Sequence, residues 1–259
     1  KTGNFKYRID VNGGYAKNKI TFWDESPGAP VYQRSTGHPM PTDPNAPDND
    51  LYYQAIGIFA NQTSVDKTPH FPGARPGDVI FKDVNGDNVI NANDRVRNDK
   101  NDIPRFTGGL GLNFEYKQWD LSALFQGATG AVRYLRLEAA GNFGNYLLSD
   151  FTDRWTPDNT TGTKPRMFDR LDQYYRSERS TYLVHKNDYV RLKNVELGYS
   201  LPNHILTKGG IENFRVFASG YNLFTYSPGY KDFDPEDNNQ GSSNYPAQRI
   251  ISVGLSVTF

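Results

Sequence analysis

One run of oxygen-bearing side chains has a spacing that could bind a metal ion. Residues 83–94 read Asp-Val-Asn-Gly-Asp-Asn-Val-Ile-Asn-Ala-Asn-Asp, so carboxylate or amide oxygens fall at loop positions 1, 3, 5, 9 and 12. A backbone carbonyl is available at position 7. Hard oxygen ligands at these intervals can wrap one Ca²⁺ ion. The candidate ligands are Asp83, Asn85, Asp87, the carbonyl of Val89, Asn91 and Asp94.

This is the calcium-loop spacing of EF-hands and dockerins, with two departures. Position 6 is Asn88 where Gly is usual, and Asn tolerates the left-handed backbone of the turn. Position 12 is Asp94 rather than Glu, which shortens its reach and weakens binding. The alternative is an Asx-rich turn stabilised by local hydrogen bonds. We slightly favour calcium, bound to rigidify the loop rather than to catalyse, and expect Ile90 to pin the loop to a core.

Other groupings that could do chemistry are weak. Residues 234–237, Asp-Pro-Glu-Asp, could suggest the paired carboxylates of glycoside hydrolysis, but we expect them to be solvated in an exposed loop. The sequence has no Gly-x-Ser-x-Gly elbow and no Gly-rich phosphate loop after a strand. We find no nucleophile with a base, so an enzyme is not expected. The histidines are scattered without metal-ligand spacing, at His38, His70, His185 and His204.

Aromatic clusters in the predicted loops are better candidates for binding. Aromatic faces stack on sugars or anchor protein partners. The alternative, which we favour, is packing within the loops or a girdle at a membrane interface. The candidate ligand or partner contacts are Tyr52, Tyr53, Tyr174, Tyr175, Tyr226 and Tyr230.

Composition excludes several classes of protein. The 259 residues include 29 basic and 29 acidic side chains, so the net charge is zero and a nucleic-acid partner is not expected. The chain has no cysteine, which removes disulfide frameworks and thiol nucleophiles. Its uncharged stretches are too short and too polar for a spanning helix. The first residues, Lys-Thr-Gly-Asn, lack the features of a signal peptide.

The remaining composition favours β structure. Mean hydropathy is -0.72, yet 14% of residues are aromatic, which is not the composition of a disordered chain. Tyr and Phe pack well on the faces of strands. A membrane β-barrel also has this composition, because only every second residue of its strands needs to be apolar.

Strict alternation of apolar and polar residues predicts six strands. The clearest case is the last, where Ile251, Val253, Leu255, Val257 and Phe259 share one parity against small polar residues. The six predicted strands are 4–22, 104–116, 119–129, 188–201, 213–225 and 247–259.

The alternation is interrupted at three places. It slips near residues 17–19, where a bulge or a strand end would explain it. Val190 and Leu192 have the opposite parity to the series that begins at Val195, and Leu124 does not match its neighbours. The fold class remains all-β.

The connections are short at one end of these strands and long at the other. A two-residue turn, Lys117-Gln118, and a modest turn after Leu201 alternate with long gaps at 23–103, 130–187 and 225–246. Transmembrane barrels have short periplasmic turns and long extracellular loops. With Phe259 at the periplasmic end, every long gap falls outside, including 23–103.

Six strands cannot close such a barrel, and an open apolar sheet would aggregate. We therefore interpret residues 1–259 as the C-terminal part, about six strands, of a larger antiparallel transmembrane barrel. The rival interpretation is a soluble secreted β-sandwich that binds carbohydrate and has a dockerin-like calcium loop.

Segments along nearly the whole chain resemble the SusC/RagA family of TonB-dependent outer-membrane transporters, and they occur in the family's order. Asn88 and Asn91 depart from the Gly and Asp expected in that family, and this departure lowers the calcium affinity that we expect. The segments that carry the resemblance are 55–59, 77–87, 94–95, 103–110, 116–117, 119–122, 125–127, 189–195, 197–202, 222–224, 245–246 with Arg249, and 257–259.

The resemblance implies a plugged barrel of roughly 22 strands in the outer membrane of a Gram-negative bacterium, surrounded by lipid. It implies import of nutrient oligomers, most often glycans and sometimes peptides, powered by TonB acting on an N-terminal plug outside this chain. It also implies a SusD-like surface lipoprotein that lids the barrel. Phe259 resembles the signal read by the barrel-assembly machinery.

Overall fold

An antiparallel sheet of six long strands dominates the computed structural model. The described residues are 4–40, 50–134, 151–167, 179–206, 210–229, 231, 233–237 and 247–259. The strands are β1 (Phe5–Tyr15), β2 (Leu51–Tyr53), β3 (Ala55–Ile58), β4 (Val79–Phe81), β5 (Arg95–Arg97), β6 (Phe106–Tyr116), β7 (Trp119–Thr129), β8 (Val132–Tyr134), β9 (Val184–Lys186), β10 (Tyr189–Ser200), β11 (Asn213–Tyr226) and β12 (Ile250–Thr258). The order of the long strands in the sheet is β1-β6-β7-β10-β11-β12, a meander in which neighbours in the sheet are also successive long strands of the chain.

The all-β prediction and all six predicted strands are confirmed, with small differences at their ends. The largest difference is in β1, which ends at Tyr15, so the slip near residues 17–19 marks a strand end and not a bulge. The predicted turn Lys117-Gln118 joins β6 to β7, and Lys117 adopts a left-handed backbone with φ of 55°. The helices within the described residues are short: α1 (Gln62–Lys67), α2 (Asn203–Leu206) and 3-10 turns at Val31–Gln33, Ala92–Asp94 and Thr181–Leu183.

A bulge in β10 explains why its alternation changes phase. The register against β7 shifts between Leu192 and Asn194, so Lys193 is an extra residue in β10. Such an insertion reverses side-chain parity beyond it. Leu192 therefore faces the same side as Val195, although the two have opposite parity in the sequence. A second irregularity lies opposite, in β11, where Asn222 has a φ of 53°.

One face of the sheet is apolar and exposed. In β12 the side chains of Val253 and Leu255 are 76% and 66% exposed. They do not point into a core, as the hydrophobic face of a β-sandwich would. In the described part of the chain no second sheet packs on this face, so the soluble-sandwich alternative is not supported.

Aromatic side chains border this apolar face at both ends. The 11 residues of β6 run from Phe106 to Tyr116. At a rise of about 3.4 Å per residue and a tilt of about 35–45°, the two borders lie roughly 25 Å apart, which is the height of the apolar band of a membrane barrel. Strand register aligns the members of each row. The row at the short-turn end is Phe5, Tyr116, Trp119 and Tyr199, and the row at the long-connection end is Tyr15, Phe106, Phe224 and Tyr226.

The opposite face is polar and contains ion pairs that cross the strands. Arg215 in β11 pairs with Asp120 in β7 and, at 2.7 Å, with Glu196 in β10. The guanidinium reaches Asp120 by lying over Gly198, where a Cβ atom would collide with it. Lys6 pairs across strands with Glu115 at 2.8 Å. Charged side chains on one face and apolar ones on the other match a wall between water and lipid.

A small packed unit lies at the long-connection end of the sheet. Two short strand pairs, β2 with β5 and β3 with β4, provide its framework. Its buried centre is Tyr53, Val79, Phe81 and Ile90, which confirms that Ile90 pins the 83–94 loop to a core.

Among the described residues, no helix is both long enough and apolar enough to cross a membrane.

The two faces of β12 should respond differently to the same charge. Val253→Lys places an ammonium on the apolar face at mid-strand and should destabilise the folded barrel by about 2–4 kcal/mol. Ser252→Lys, on the polar face, is the matched control and should cost much less. Urea unfolding from lipid vesicles measures both. Equal costs would mean that the apolar face does not contact lipid.

Candidate functional site

The 83–94 loop is wound tightly around its first aspartate. The two carboxylate oxygens of Asp83 accept from the amides of Gly86 and Asn88, each at 2.7 Å. Asn88 has a φ of 65°, the left-handed conformation that the spacing predicts for position 6. Asp87 accepts from the amide of Val89 at 2.8 Å. These bonds fix the backbone of the first half of the loop.

Asp94 closes the loop. It is fully buried, and its two oxygens accept from the amides of Val84 and Asn91, each at 2.8 Å. One carboxylate thus ties the start of the loop to its end. The Tyr32 hydroxyl donates to the carbonyl of Asn93 at 2.8 Å, which docks the preceding segment on the loop. Burial, together with the negative charges of Asp94, Asp87 and Asp83, raises the pKa of Tyr32.

The loop therefore has the hydrogen bonds of an Asx-rich turn, the alternative interpretation of its sequence. Within the described residues no three His, Asp or Glu side chains converge closely enough to hold a metal ion. A carboxylate oxygen that accepts one amide hydrogen bond retains a lone pair for a cation. The calcium site thus stays a prediction.

The three aromatic candidates within the described residues, Tyr52, Tyr53 and Tyr226, do not form one cluster. Tyr52 and Tyr53 are buried, and Tyr53 packs edge-on against Phe71 at 5.2 Å between ring centres. The prediction that Tyr52 and Tyr53 contact a ligand or a lid at the surface is wrong, because their rings are buried in packing between the loops. Tyr226 is 59% exposed on the apolar face of the sheet, which matches the girdle alternative. Tyr174, Tyr175 and Tyr230 lie outside the described residues.

Phe259 follows the last residue of β12 and is 83% exposed. Its function as an assembly signal stays a prediction.

The acidic segment 234–237 is not solvated, contrary to the expectation from sequence. Arg191 pairs with Asp234 at 2.5 Å and with Glu236 at 2.6 Å. The Arg191 side chain is only 3% exposed, and Pro235 is buried between the two acids. The expectation was wrong because sequence does not show that the last long connection folds back onto the polar face of β10.

Asp188 links the outer ends of β7 and β10, and we call this pair of hydrogen bonds the Asp188 clamp. The Asp188 carboxylate, just before β10, accepts from the hydroxyl of Thr129 at 2.7 Å and from the amide of Gly130 at 2.8 Å. Burial acts to raise the pKa of Asp188, but these two hydrogen bonds outweigh it and the pKa is lowered. The clamp therefore prefers the ionised carboxylate.

Sequence reasoning missed a buried ion pair that joins two long connections. Asp78 is fully buried and pairs with Arg166 at 2.7 Å. Next to it, Gly77 has a φ of 88° and lies under the ring of Trp155, where a Cβ atom would sit only 2.5 Å from the indole. The only signal in the sequence is the Gly-Asp pair itself, and its partners are too far away along the chain to be inferred.

The chain is similar in sequence to TonB-dependent receptors. It is 32% identical over 224 residues to the TonB-dependent receptor P3 of Formosa agariphila, a match that covers 80% of this chain and 22% of the relative. It is 26% identical over 265 residues to the TonB-dependent receptor SusC of Bacteroides thetaiotaomicron, covering 100% of this chain and 25% of the relative. The chain thus spans about a quarter or less of the length of these curated relatives. No family model matches it.

The fold is similar to that of the RagAB transporter. The structure of the RagAB peptide transporter matches with a TM-score of 0.69 and 22% identity, over 100% of this chain and 28% of the other. The RagAB peptide importer in the closed-closed state matches with the same TM-score and 23% identity. At this level of identity the match shows the fold, a segment of a transporter barrel.

Removing the buried carboxylate of Asp78 should loosen the unit at the long-connection end. Asp78→Ala removes the buried carboxylate that faces the Arg166 guanidinium, and we expect a loss of about 3–5 kcal/mol in local stability. Hydrogen exchange across 59–81 and 151–167 measures it. Asp66→Ala, an exposed aspartate on α1, is the control and should change stability by less than about 0.5 kcal/mol. Equal exchange in the two variants would contradict the assignment.

The Asp188 clamp should depend on pH in the acid range. Because its folded pKa is lowered, the stabilisation is complete above the unfolded pKa of about 4 and is lost as pH falls through the folded value. Thermal unfolding of the parent and Asp188→Asn should therefore differ by a constant amount near neutral pH and converge in acid. A difference that grows in acid would refute the clamp.

Proposed function

Because the chain belongs to the SusC/RagA-like TonB-dependent receptors of the outer membrane, we propose that it forms one sector of the wall of a nutrient importer. The observation that carries this proposal is the meander itself, with its exposed apolar face, its charged face and all long connections at one end. Such a sheet separates lipid from a polar interior. The protein transports its ligand and does not transform it.

The proposed cargo is a nutrient oligomer, and we propose glycans first. This follows the resemblance of the sequence to SusC-like transporters. Peptides are the second candidate, because the RagAB structures are named for a peptide transporter. Either cargo requires polar contacts from the outer end of the charged face and from the connections that lie there.

The proposed partners act at opposite ends of the barrel. A SusD-like lipoprotein would cover the outer end, where the long connections of this chain form its packed unit. TonB would act from the periplasm on a plug supplied by the part of the protein outside this chain. The strands described here would remain a fixed wall against which the lid and the plug move.

We also propose that the 83–94 loop binds Ca²⁺ and so stiffens the packed unit. The left-handed Asn88, the anchored Ile90 and the concentration of negative charge at Asp83, Asp87 and Asp94 support this. Calorimetric titration after treatment with EGTA should show a site that is lost in Asp87→Asn and kept in Asp66→Asn. A titration without any calcium site would leave the Asx-rich turn as the full account of this loop.

Deletion of the gene tests the transport function. The mutant should lose growth on the oligomer that the protein imports, while growth on the corresponding monomer, which does not need this route, should be unchanged. A panel of glycans and peptides identifies the cargo class. Normal growth on every oligomer would refute the importer proposal.

A further inference from the structure

A group of hydrogen-bond donors lies at the outer end of the charged face. They come from one short run that begins just before β10 and ends at its bulge. Tyr189 and Arg191 are two residues apart, so strand alternation places both on the charged face. The bulge then adds Lys193 to the same face, where its ammonium lies 5.4 Å from the ring centre of Tyr221. The site is therefore built into the wall and not into a loop tip.

These donors hold an acidic tripeptide of the chain itself. Besides the two bonds from Arg191, Lys193 pairs with Glu236 at 3.0 Å and the Tyr189 hydroxyl donates to Glu236 at 3.2 Å. The Asn187 amide donates to the carbonyl of Pro235 at 2.8 Å. Two carboxylates and a backbone carbonyl are thus recognised together, which is how an acidic oligomer would be held.

Two buried atoms of this site have no hydrogen-bond partner among the described residues. They are Nε of Arg191 and Oδ1 of Asn187. Both side chains are more than nine-tenths buried. Buried polar groups are normally satisfied, so the site can make more bonds than the tripeptide uses.

The charges also restrict what can occupy the site. Two cations, Arg191 and Lys193, face two carboxylates, Asp234 and Glu236, so the group as described is neutral. A buried guanidinium left without a counter-ion is strongly unfavourable. If the tripeptide leaves, an anionic group must replace it.

We propose that Asn187, Tyr189, Arg191 and Lys193 form an anion-binding subsite for oligomers that bear carboxylates, and that the 234–236 segment is an internal substitute which the oligomer displaces. The proposal rests on the proposed import function and specifies one class of cargo. Acidic peptides and polyuronates share the required chemistry.

The test removes the charges of the substitute and keeps the donors. Calorimetry on the full-length protein in detergent at low salt uses tri-glutamate and tri-galacturonate as probes, with tri-glutamine and maltotriose as neutral controls. In Asp234→Asn/Glu236→Gln we expect the acidic probes to bind about tenfold tighter or more, because the competing segment is weakened. Adding Arg191→Gln should abolish the gain. The acidic probe that binds with the higher affinity shows whether the subsite prefers the carboxylates of a peptide or those of a polyuronate.

A matched control exists at the other end of the same face. Asp120→Asn/Glu196→Gln removes two carboxylates from Arg215 and should leave the affinity for every probe unchanged. An affinity within twofold of the parent for folded Asp234→Asn/Glu236→Gln would overturn the proposal.

A second measurement needs no variant. In the parent protein, saturating tri-glutamate or tri-galacturonate should speed hydrogen exchange at the amide of Glu236, which donates to Asp234 at 2.9 Å. No change in exchange, or no binding of either probe, would overturn the proposal. Import of neutral oligomers by the same protein would show that only the subsite has failed, whereas a deletion mutant that grows normally would refute the importer function.

Discussion

One constraint determines this structure: every backbone amide and carbonyl inside a membrane needs a hydrogen-bond partner. Lipid offers none, so a spanning chain that is not helical must pair its strands with neighbours. The six long strands satisfy this need towards one another through antiparallel registers from β1 to β12, and among the described residues only the outer edges of β1 and β12 have no partner strand. Once the backbone is paired, side chains alternate between two environments, and the apolar and charged faces follow from the same constraint.

The sheet could be predicted from sequence because its signal is local. Alternation such as that of 251–259 is visible in one strand without knowledge of its neighbours. The phase change at Lys193 could be seen but not explained, since a bulge is defined only relative to the partner strand. The end of β1 was ambiguous for the same reason, because residues 17–19 fit both a bulge and a stop.

The contacts of the long connections could not be predicted, because their partners are distant in the chain. Arg191 and Asp234 are 43 residues apart, and no periodicity relates them. An acidic run in a Gly- and Asn-rich segment is usually solvated, and that expectation was wrong here. The burial of Tyr52 and Tyr53 could not be predicted either, because a short strand that is buried on both faces shows no alternation of apolar and polar residues. The hydrogen bonds of the 83–94 loop were easier to predict, because they join residues within the loop itself.

The extra residue in β10 costs the two faces of the sheet nothing, because the bulge absorbs it. Val190 and Leu192 face lipid and Arg191 faces the charged side, as they would in a regular strand without Lys193. Deleting Lys193 would make the ladder regular and would leave every other side chain of β10 on its present face, since Leu192 and Asn194 already pair with adjacent residues of β7. Only the ammonium that pairs with Glu236 would be lost. The bulge is therefore a way to place a second cation beside Arg191 without turning any apolar side chain towards water.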